Sequence, residues 1–470
     1  MPSLRSSLLV ALLPLAATAL LLALATPPRT HPAGVKAAAA VEPGEAYAWL
    51  GRLQADHGSR AAGSKSLQTG VAFIASSLHA AGARRVHVQR LFYEGEPVLN
   101  VIGTIRGRSR DRIVIAAHHD VVPGAPGAID DGGAIAALLA ATRAIARGPT
   151  PPCDVEIAIF DGEERGCLGS KARLARRKRG LIRVALAVEL VGWRHDRLVA
   201  HTIPYGFAWE AEGIAPAWVP VGLSRAGRAA NARVGFGDPT FAPWYQATTR
   251  ILKLRTGSDA GAYSEAGIPS VMLTGSSLTN FYSAYHRPTD TMEQVDPDRL
   301  DDAARVIAAS VWEFGALRNP SATLGVPSLS FGERTLGPLA LGLIGLLAAL
   351  AAAWAALQST SERGERGHVL LALSLVAFSL QGSVIGLLCF VPLASALALA
   401  SSLRQSRAKK ILVLILGTQP LVVELLLILG ASLSFGFGWR AGPLETFGLL
   451  LASAGTLLAF ASLGAKDLKD

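Results

Sequence analysis

Residues 111–140, DRIVIAAHHDVVPGAPGAIDDGGAIAALLA, leave this chain few ways to fold. A short apolar run at 113–117, bounded by charge, reads as a buried strand. His118, His119 and Asp120 stand at its C-terminal end. A Pro/Gly-rich loop follows, and Asp130, Asp131 and two glycines lead into a run with helical apolar spacing. Strand, polar loop and helix make one half of a parallel α/β unit, and such sheets bind ligands at the carboxyl ends of their strands. His118 and Asp120, with Asp130 further on, are ligand types suited to zinc. A carboxylate can bridge two such ions, and an imidazole needs another carboxylate to fix its tautomer. On this stretch alone, a polar loop without metal is the other reading.

The end-of-strand pattern recurs downstream. A buried strand at 155–160 ends in FDGEERGCLGS (160–170), which puts Glu163 and Glu164 after it, and a strand at 184–188 is followed at once by Glu189. Residues 66–81 read as a helix, and 85–92 and 97–106 as strands. The Gly-, Pro-, Trp- and Arg-rich segment 193–250 reads as loops over the active face. A short helix and strand are expected within 256–275, and a closing amphipathic helix at 297–317. The expected fold class is α/β, a mostly parallel sheet flanked by helices. Its strand ends converge on one crevice, so His118, Asp120, Asp130, Glu163, Glu164 and Glu189 can share a site, joined by His286 from AYHRPTDTMEQV (284–295). Two histidines and three carboxylates can hold two zinc ions if one carboxylate bridges, and such a pair acidifies a shared water and polarises a carbonyl. One further carboxylate must take the water's proton. Glu163 and Glu164 are neighbours whose side chains diverge, so one can face metal while the other reaches water.

The order HxD, DD, EE, E, H at these spacings resembles the co-catalytic zinc metallopeptidase family that contains bacterial leucyl aminopeptidases and glutamate carboxypeptidase. The resemblance covers about residues 46–317. It implies that His118 binds one zinc and His286 the other, that Asp130 bridges them, and that Glu164 completes one site and Glu189 the other. It further implies Glu163 as general base, Asp120 as the group that orients His118, Tyr285 as a hydrogen-bond donor to the developing oxyanion, and a cis peptide at Asp130–Asp131. Glu189 stands where soluble members mostly have Asp. It matches membrane-bound relatives of the endoplasmic-reticulum type, which also carry spans after the domain. GAIDDGGA (127–134) lacks the usual Ser after the bridging Asp. HHDVVPG (118–124) is similar to a second co-catalytic zinc family that includes amino-acid deacylases, but there the gap to the bridging Asp is longer and a dimerisation domain is inserted. The implied function is a membrane-anchored zinc exopeptidase, most like an aminopeptidase. The alternatives are a glutaminyl cyclase-like single-zinc acyltransferase and a non-catalytic, receptor-like ectodomain. The last would have lost ligands, and none is missing here. Arg225, Arg228 and Arg255 in the expected loops keep carboxypeptidase specificity open, because a terminal carboxylate needs an Arg.

Half of the 470 residues are hydrophobic, and they are unevenly spread. Residues 1–26 read as a signal peptide or signal anchor, 27–45 as a linker, 46–318 as the zinc peptidase domain and 319–335 as a second linker. Residues 336–464 read as a multi-span transmembrane domain, with apolar runs at 336–357, 369–403, 411–435 and 443–463. Basic flanks prefer the cytoplasmic side, which places the peptidase domain on the non-cytoplasmic side, periplasmic, extracellular or luminal. The run at 369–403 is then expected to fold back near Gln381, Gly382 and Ser383, leaving Arg404, Arg407, Lys409 and Lys410 in the cytoplasm. Peptide and lipid bilayer are the expected partners, and oligomeric state stays open. Part of the net charge of +10 comes from SKARLARRKRGLIR (170–183), read as a solvated basic helix face. No aromatic interleaving or nucleic-acid motif accompanies it, so no nucleic-acid partner is expected. Cys153 and Cys167 flank one strand at opposite ends and Cys389 lies in an apolar run, so no disulfide framework is implied. His119 reads as a strand-end neighbour, His195 as a loop residue, and Asp259 and Asp290 as partners for loop backbone. Glu424, inside an expected span, is a functional candidate left open.

Overall fold

A computed structural model describes residues 4–24, 30–176, 181–201, 218–236, 258–276, 280–315, 329–331, 334–336, 338–357, 362–381, 391 and 394. The chain divides into two compact units, one of residues 27–238 and 255–325, the other of residues 1–26, 239–254 and 326–470. The other unit includes helix α1 (Leu4–Leu24).

The first unit opens with helices α2 (Pro32–Ala39), α3 (Glu45–His57) and α4 (Lys65–Ala80). Strands β1 (Arg84–Tyr93) and β2 (Glu96–Ile105) form a hairpin. Its two turn residues, Glu94 and Gly95, both adopt positive φ, 53° and 84°, the geometry a two-residue hairpin turn demands. Then come β3 (Ser109–His118), α5 (Ala134–Arg147), β4 (Cys153–Phe160), α6 (Leu168–Ala175), β5 (Ile182–Glu189), β6 (Val199–His201), α7 (Trp218–Ala229), β7 (Gly235–Phe236), α8 (Asp259–Glu265), β8 (Ser270–Thr274) and α9 (Pro297–Gly315). The eight strands make one mixed sheet in the order β1-β2-β4-β3-β5-β8-β6-β7. The centre is parallel, β4 to β3 to β5 to β8. The β1–β2, β2–β4 and β6–β8 pairings are antiparallel and the edge pair β6–β7 is again parallel, so the sheet is mixed, with its parallel character concentrated at the centre.

Strand alternation sorts the core onto two faces. Ile113, Ile115 and Ala117 of β3, with Val155, Ile157 and Ile159 of β4, join the large core under α3, α4, α5 and α9. The intervening Val114, Ala116, Ala158 and Phe160 pack with Tyr263 of α8 and Leu174 of α6 on the opposite face. Each buried aliphatic side chain contributes roughly 1.5–3 kcal/mol relative to exposure. The continuous apolar run thus encodes a strand covered on both faces.

Two sequence expectations need correction. Residues 32–39 lie in the expected linker but form α2. Pro32 occupies the first turn, His31 Nδ1 accepts the Ala33 N–H at 3.2 Å, and Ala37 and Ala38 are buried. The segment 193–250 is not loop throughout, since β6, α7 and β7 lie in it. In the second unit, α10 (Pro338–Leu357) coincides with the apolar run at 336–357, and α11 (Glu362–Gln381) enters the one at 369–403. Among the described residues, one helix, Leu339–Leu357, is long and apolar enough to cross a membrane. The runs at 411–435 and 443–463, Cys389, Glu424, Arg255 and the basic cluster at 404–410 lie outside the described residues.

Candidate active site

β3, β4 and β5 run parallel, so the residues that follow them meet at one edge of the sheet. Asp131 closes that edge. Its Oδ2 accepts the His118 backbone N–H at 3.1 Å and its Oδ1 accepts that of Leu190 at 3.3 Å, so one buried carboxylate joins the ends of β3 and β5. The turn Ala128–Gly133 that carries the Asp pair approaches β5 closely. A Cβ on Gly133 would fall 2.2 Å from the Val191 carbonyl oxygen, which is why that position takes glycine. The Asp130–Asp131 peptide is cis, as the family resemblance implied.

Asp130 lies between the two histidines. Its Oδ1 is 3.4 Å from His118 Nε2 and its Oδ2 is 3.4 Å from His286 Nε2. His286 Nε2 is also 2.9 Å from Glu164 Oε2, and Asp130, Glu164 and His286 form one group able to surround a single ion. Glu163 Oε2 stands 4.0 Å from His118 Nε2. Glu189, expected in the second ion's shell, is not part of that group, and its Oε1 accepts the Ser258 hydroxyl at 2.7 Å. The Tyr285 ring stacks on the His286 imidazole at 3.7 Å between centroids, with Phe281 edge-on to it at 5.7 Å.

Asp120, expected to orient His118, meets it mainly through its backbone. His118 Nδ1 lies 3.1 Å from the Asp120 backbone carbonyl and 3.6 Å from its carboxylate. The carboxylate accepts the backbone N–H groups of Glu163 at 3.1 Å and Glu164 at 3.2 Å, so it ties the glutamate turn to the end of β3. Asp120→Asn turns an acceptor into a donor facing one of those amides. The expected result is a loss of about 10–100-fold in zinc affinity with the fold retained, measured by competition with a chromogenic chelator. Unchanged affinity would remove Asp120 from the account.

The electrostatics call for a cation. Burial, then neighbouring Asp130, pushes Glu164 up to about 8. Burial raises Glu189 to about 7 against the pull of His118, and it raises Glu163 and Asp131 well above the carboxylate range. Burial opposes charge on His118, but Asp131, Glu163, Asp120 and Asp130 together raise it well above an ordinary imidazole. Asp130 Oδ2 and Glu164 Oε1 are buried acceptors with no hydrogen-bond partner. Orphaned carboxylate oxygens converging on a histidine fit zinc in both ligand type and charge.

The other sequence candidates fall outside the group. His119 Nε2 lies 2.9 Å from the Leu99 carbonyl, and His195 is exposed. Asp290 accepts the N–H groups of Ile129 at 2.8 Å and Asp130 at 3.1 Å, with the Tyr282 hydroxyl at 2.7 Å, and thereby orients the Asp130 backbone. Asp259 is buried on α8, and burial raises it to about 7. Cys153 and Cys167 are free and buried. Sequence reasoning missed two residues. Arg60, fully buried, donates to the carbonyls of His119 at 2.8 Å, His57 at 3.0 Å and Gly127 at 3.2 Å, bracing the loop between His118 and Asp130. Its signal was a lone Arg in GSRAAG (58–63), a stretch otherwise too small and apolar to need one. Ser258 also caps α8, and the residue order Ser258-Asp259 ahead of a helix was its signal.

Residues 100–311 match the model of peptidase family M28. Aminopeptidase YwaD of Bacillus subtilis is 26% identical over 229 residues, 46% of this chain and 44% of that protein. Leucine aminopeptidase 1 of Arthroderma otae is 26% identical over 278 residues, 56% of this chain and 69% of that protein. The chain thus spans less than half of the first relative and about two thirds of the second. The crystal structure of the Legionella pneumophila LapA aminopeptidase shares the fold at a TM-score of 0.50 and 16% identity, over 63% of this chain and 78% of that one.

Proposed function

From the premise that residues 100–311 belong to peptidase family M28, we propose that this chain is a membrane-anchored zinc exopeptidase of aminopeptidase type. One observation carries the reading: the two oxygens of Asp130 face two different imidazoles, each at 3.4 Å. His286, Glu164 and Asp130 would hold one zinc, and His118, Glu189 and Asp130 the other. Zinc at these positions supplies an acidified water and a polarised carbonyl. Glu163 takes a proton from the attacking water and passes it to the departing amine, a role suited to a carboxylate whose burial raises its pKa. Burial and the nearby carboxylates raise the Tyr285 phenol, which keeps it a hydrogen-bond donor to the developing oxyanion. Asp120 and Asp290 hold the turns that present these groups.

A second reading has its own support. Asp130, Glu164 and His286 alone form a ready ion group among the described residues, which favours a single-zinc acyltransferase. His118 on the other oxygen of Asp130 argues for two ions.

Aminopeptidase specificity is preferred because Arg225, a sequence candidate for a substrate carboxylate, pairs with buried Glu313 at 3.0 Å. Assays of the full chain in detergent should release the N-terminal residue from free and C-blocked peptides and leave N-blocked peptides intact. Cleavage of N-blocked but not C-blocked peptides would reverse the specificity.

The membrane placement belongs to the same proposal and rests on Leu339–Leu357 together with the apolar runs of the sequence. The peptidase domain lies on the non-cytoplasmic side, and the chain returns so that Arg407 and Asp470 are cytoplasmic. Reporter fusions at both positions should read cytoplasmic, and an exported signal at Arg407 would remove the fold-back at 381–383.

A further inference from the structure

A second polar concavity lies at the opposite end of the central strands. Arg112 and Ile182 stand near the starts of β3 and β5, whereas His118 and Glu189 end them. The six residue steps of β3 from Arg112 to His118 correspond to about 20 Å. The cavity, about 210 Å³, is lined by Gln89, Arg112, Glu156, Arg173, Leu174, Arg176, Ile182 and Tyr263. That is room on the order of seven waters. Its lining combines the apolar Leu174 and Ile182 and the Tyr263 ring with three guanidiniums and one carboxylate. Glu156, whose side chain is 5% exposed, already spends both oxygens: Oε2 accepts from Arg112 at 3.1 Å and Oε1 from Arg173 at 2.7 Å. Arg173 Nη1 also reaches Gln89 at 3.4 Å. Arg176 forms no ion pair among the described residues, and Arg112 uses a single guanidinium nitrogen. Salt bridging to Glu156 therefore accounts for two of the three arginines, and only in part for Arg112.

We propose that this cavity binds a phosphate-class oxyanion, either free phosphate or the phosphate of a lipid headgroup. Guanidinium forks match tetrahedral oxyanions with paired N–H donors, and the apolar lining of Leu174 and Ile182 admits the organic part of a phosphomonoester. Arg173 and Arg176 of the basic run thus act as ligands as well as solvated charge.

The test is calorimetric titration of the full chain in neutral detergent with inorganic phosphate and, separately, with dihexanoyl phosphatidic acid. At least one probe should bind, and Arg112→Gln and Arg176→Gln should each weaken it by about tenfold or more. Arg176 is exposed, so its variant tests the site without disturbing the core. Glu156→Gln removes the competing carboxylate and should tighten binding. Tighter binding of the phosphatidic acid assigns the lipid source, and tighter binding of inorganic phosphate the soluble one. The proposal is overturned if neither probe binds, or if both bind equally well to the parent and the arginine variants.

Discussion

Glu163→Gln should keep its zinc and lose about 10²–10⁴-fold in kcat, the usual cost of removing a general base. The amide preserves size and shape but cannot accept the water's proton. The turn should survive the change, because Asp120 holds the backbone N–H groups of residues 163 and 164 rather than the side chain. KM should change little, since the lost interaction belongs to the transition state. Glu164→Gln should behave differently. Its Oε2 lies 2.9 Å from His286 Nε2 and its Oε1 is buried without a partner, so this variant should lose zinc as well as activity. Adjacent glutamates with opposite metal phenotypes are the signature of divided roles. Equal zinc loss in the two variants would falsify that division.

Part of the catalytic edge was legible because several of its ionisable residues follow closely on a buried apolar run, whereas Asp130 and His286 come from turns. His118 after 113–117, Glu163 and Glu164 after 155–160, and Glu189 after 184–188 all declare themselves by composition. Parallel pairing then brings them to one edge. Arg60 was overlooked despite standing alone in GSRAAG, because its partners are the carbonyls of His57, His119 and Gly127, and a sequence does not show which backbone acceptors an Arg reaches. Ser258 was readable as a helix cap but not as a partner of Glu189, because that bond crosses 69 residues. Helix α2 escaped because an Ala-rich segment after prolines carries little amphipathic signal. Its order comes from α9, where Glu313 accepts the His31 N–H at 2.6 Å and Ala309 lies against Gly34. The antiparallel pairings arise from the β1–β2 hairpin and from the way β6 returns alongside β8, and both are decided by connections rather than by strand composition.

Asp130→Ala tests the centre of the account. Both carboxylate oxygens disappear at once, so both imidazoles lose the group they share. Peptidase activity should fall by at least about 10³-fold, equivalent to roughly 4 kcal/mol of transition-state stabilisation. The fold should persist, because Asp290 holds the backbone N–H of residue 130 at 3.1 Å. Removing one carboxylate from a crowded acidic group also relieves repulsion in the metal-free state. The zinc-free variant should therefore be no less stable than the zinc-free parent. The direct measurement is zinc per chain by atomic emission, taken with release of the N-terminal residue on the same samples. Two zinc ions and full activity are expected in the parent, and fewer than one ion with no detectable release in Asp130→Ala. A parent fully active with one zinc, or an Asp130→Ala variant that keeps two, would contradict this.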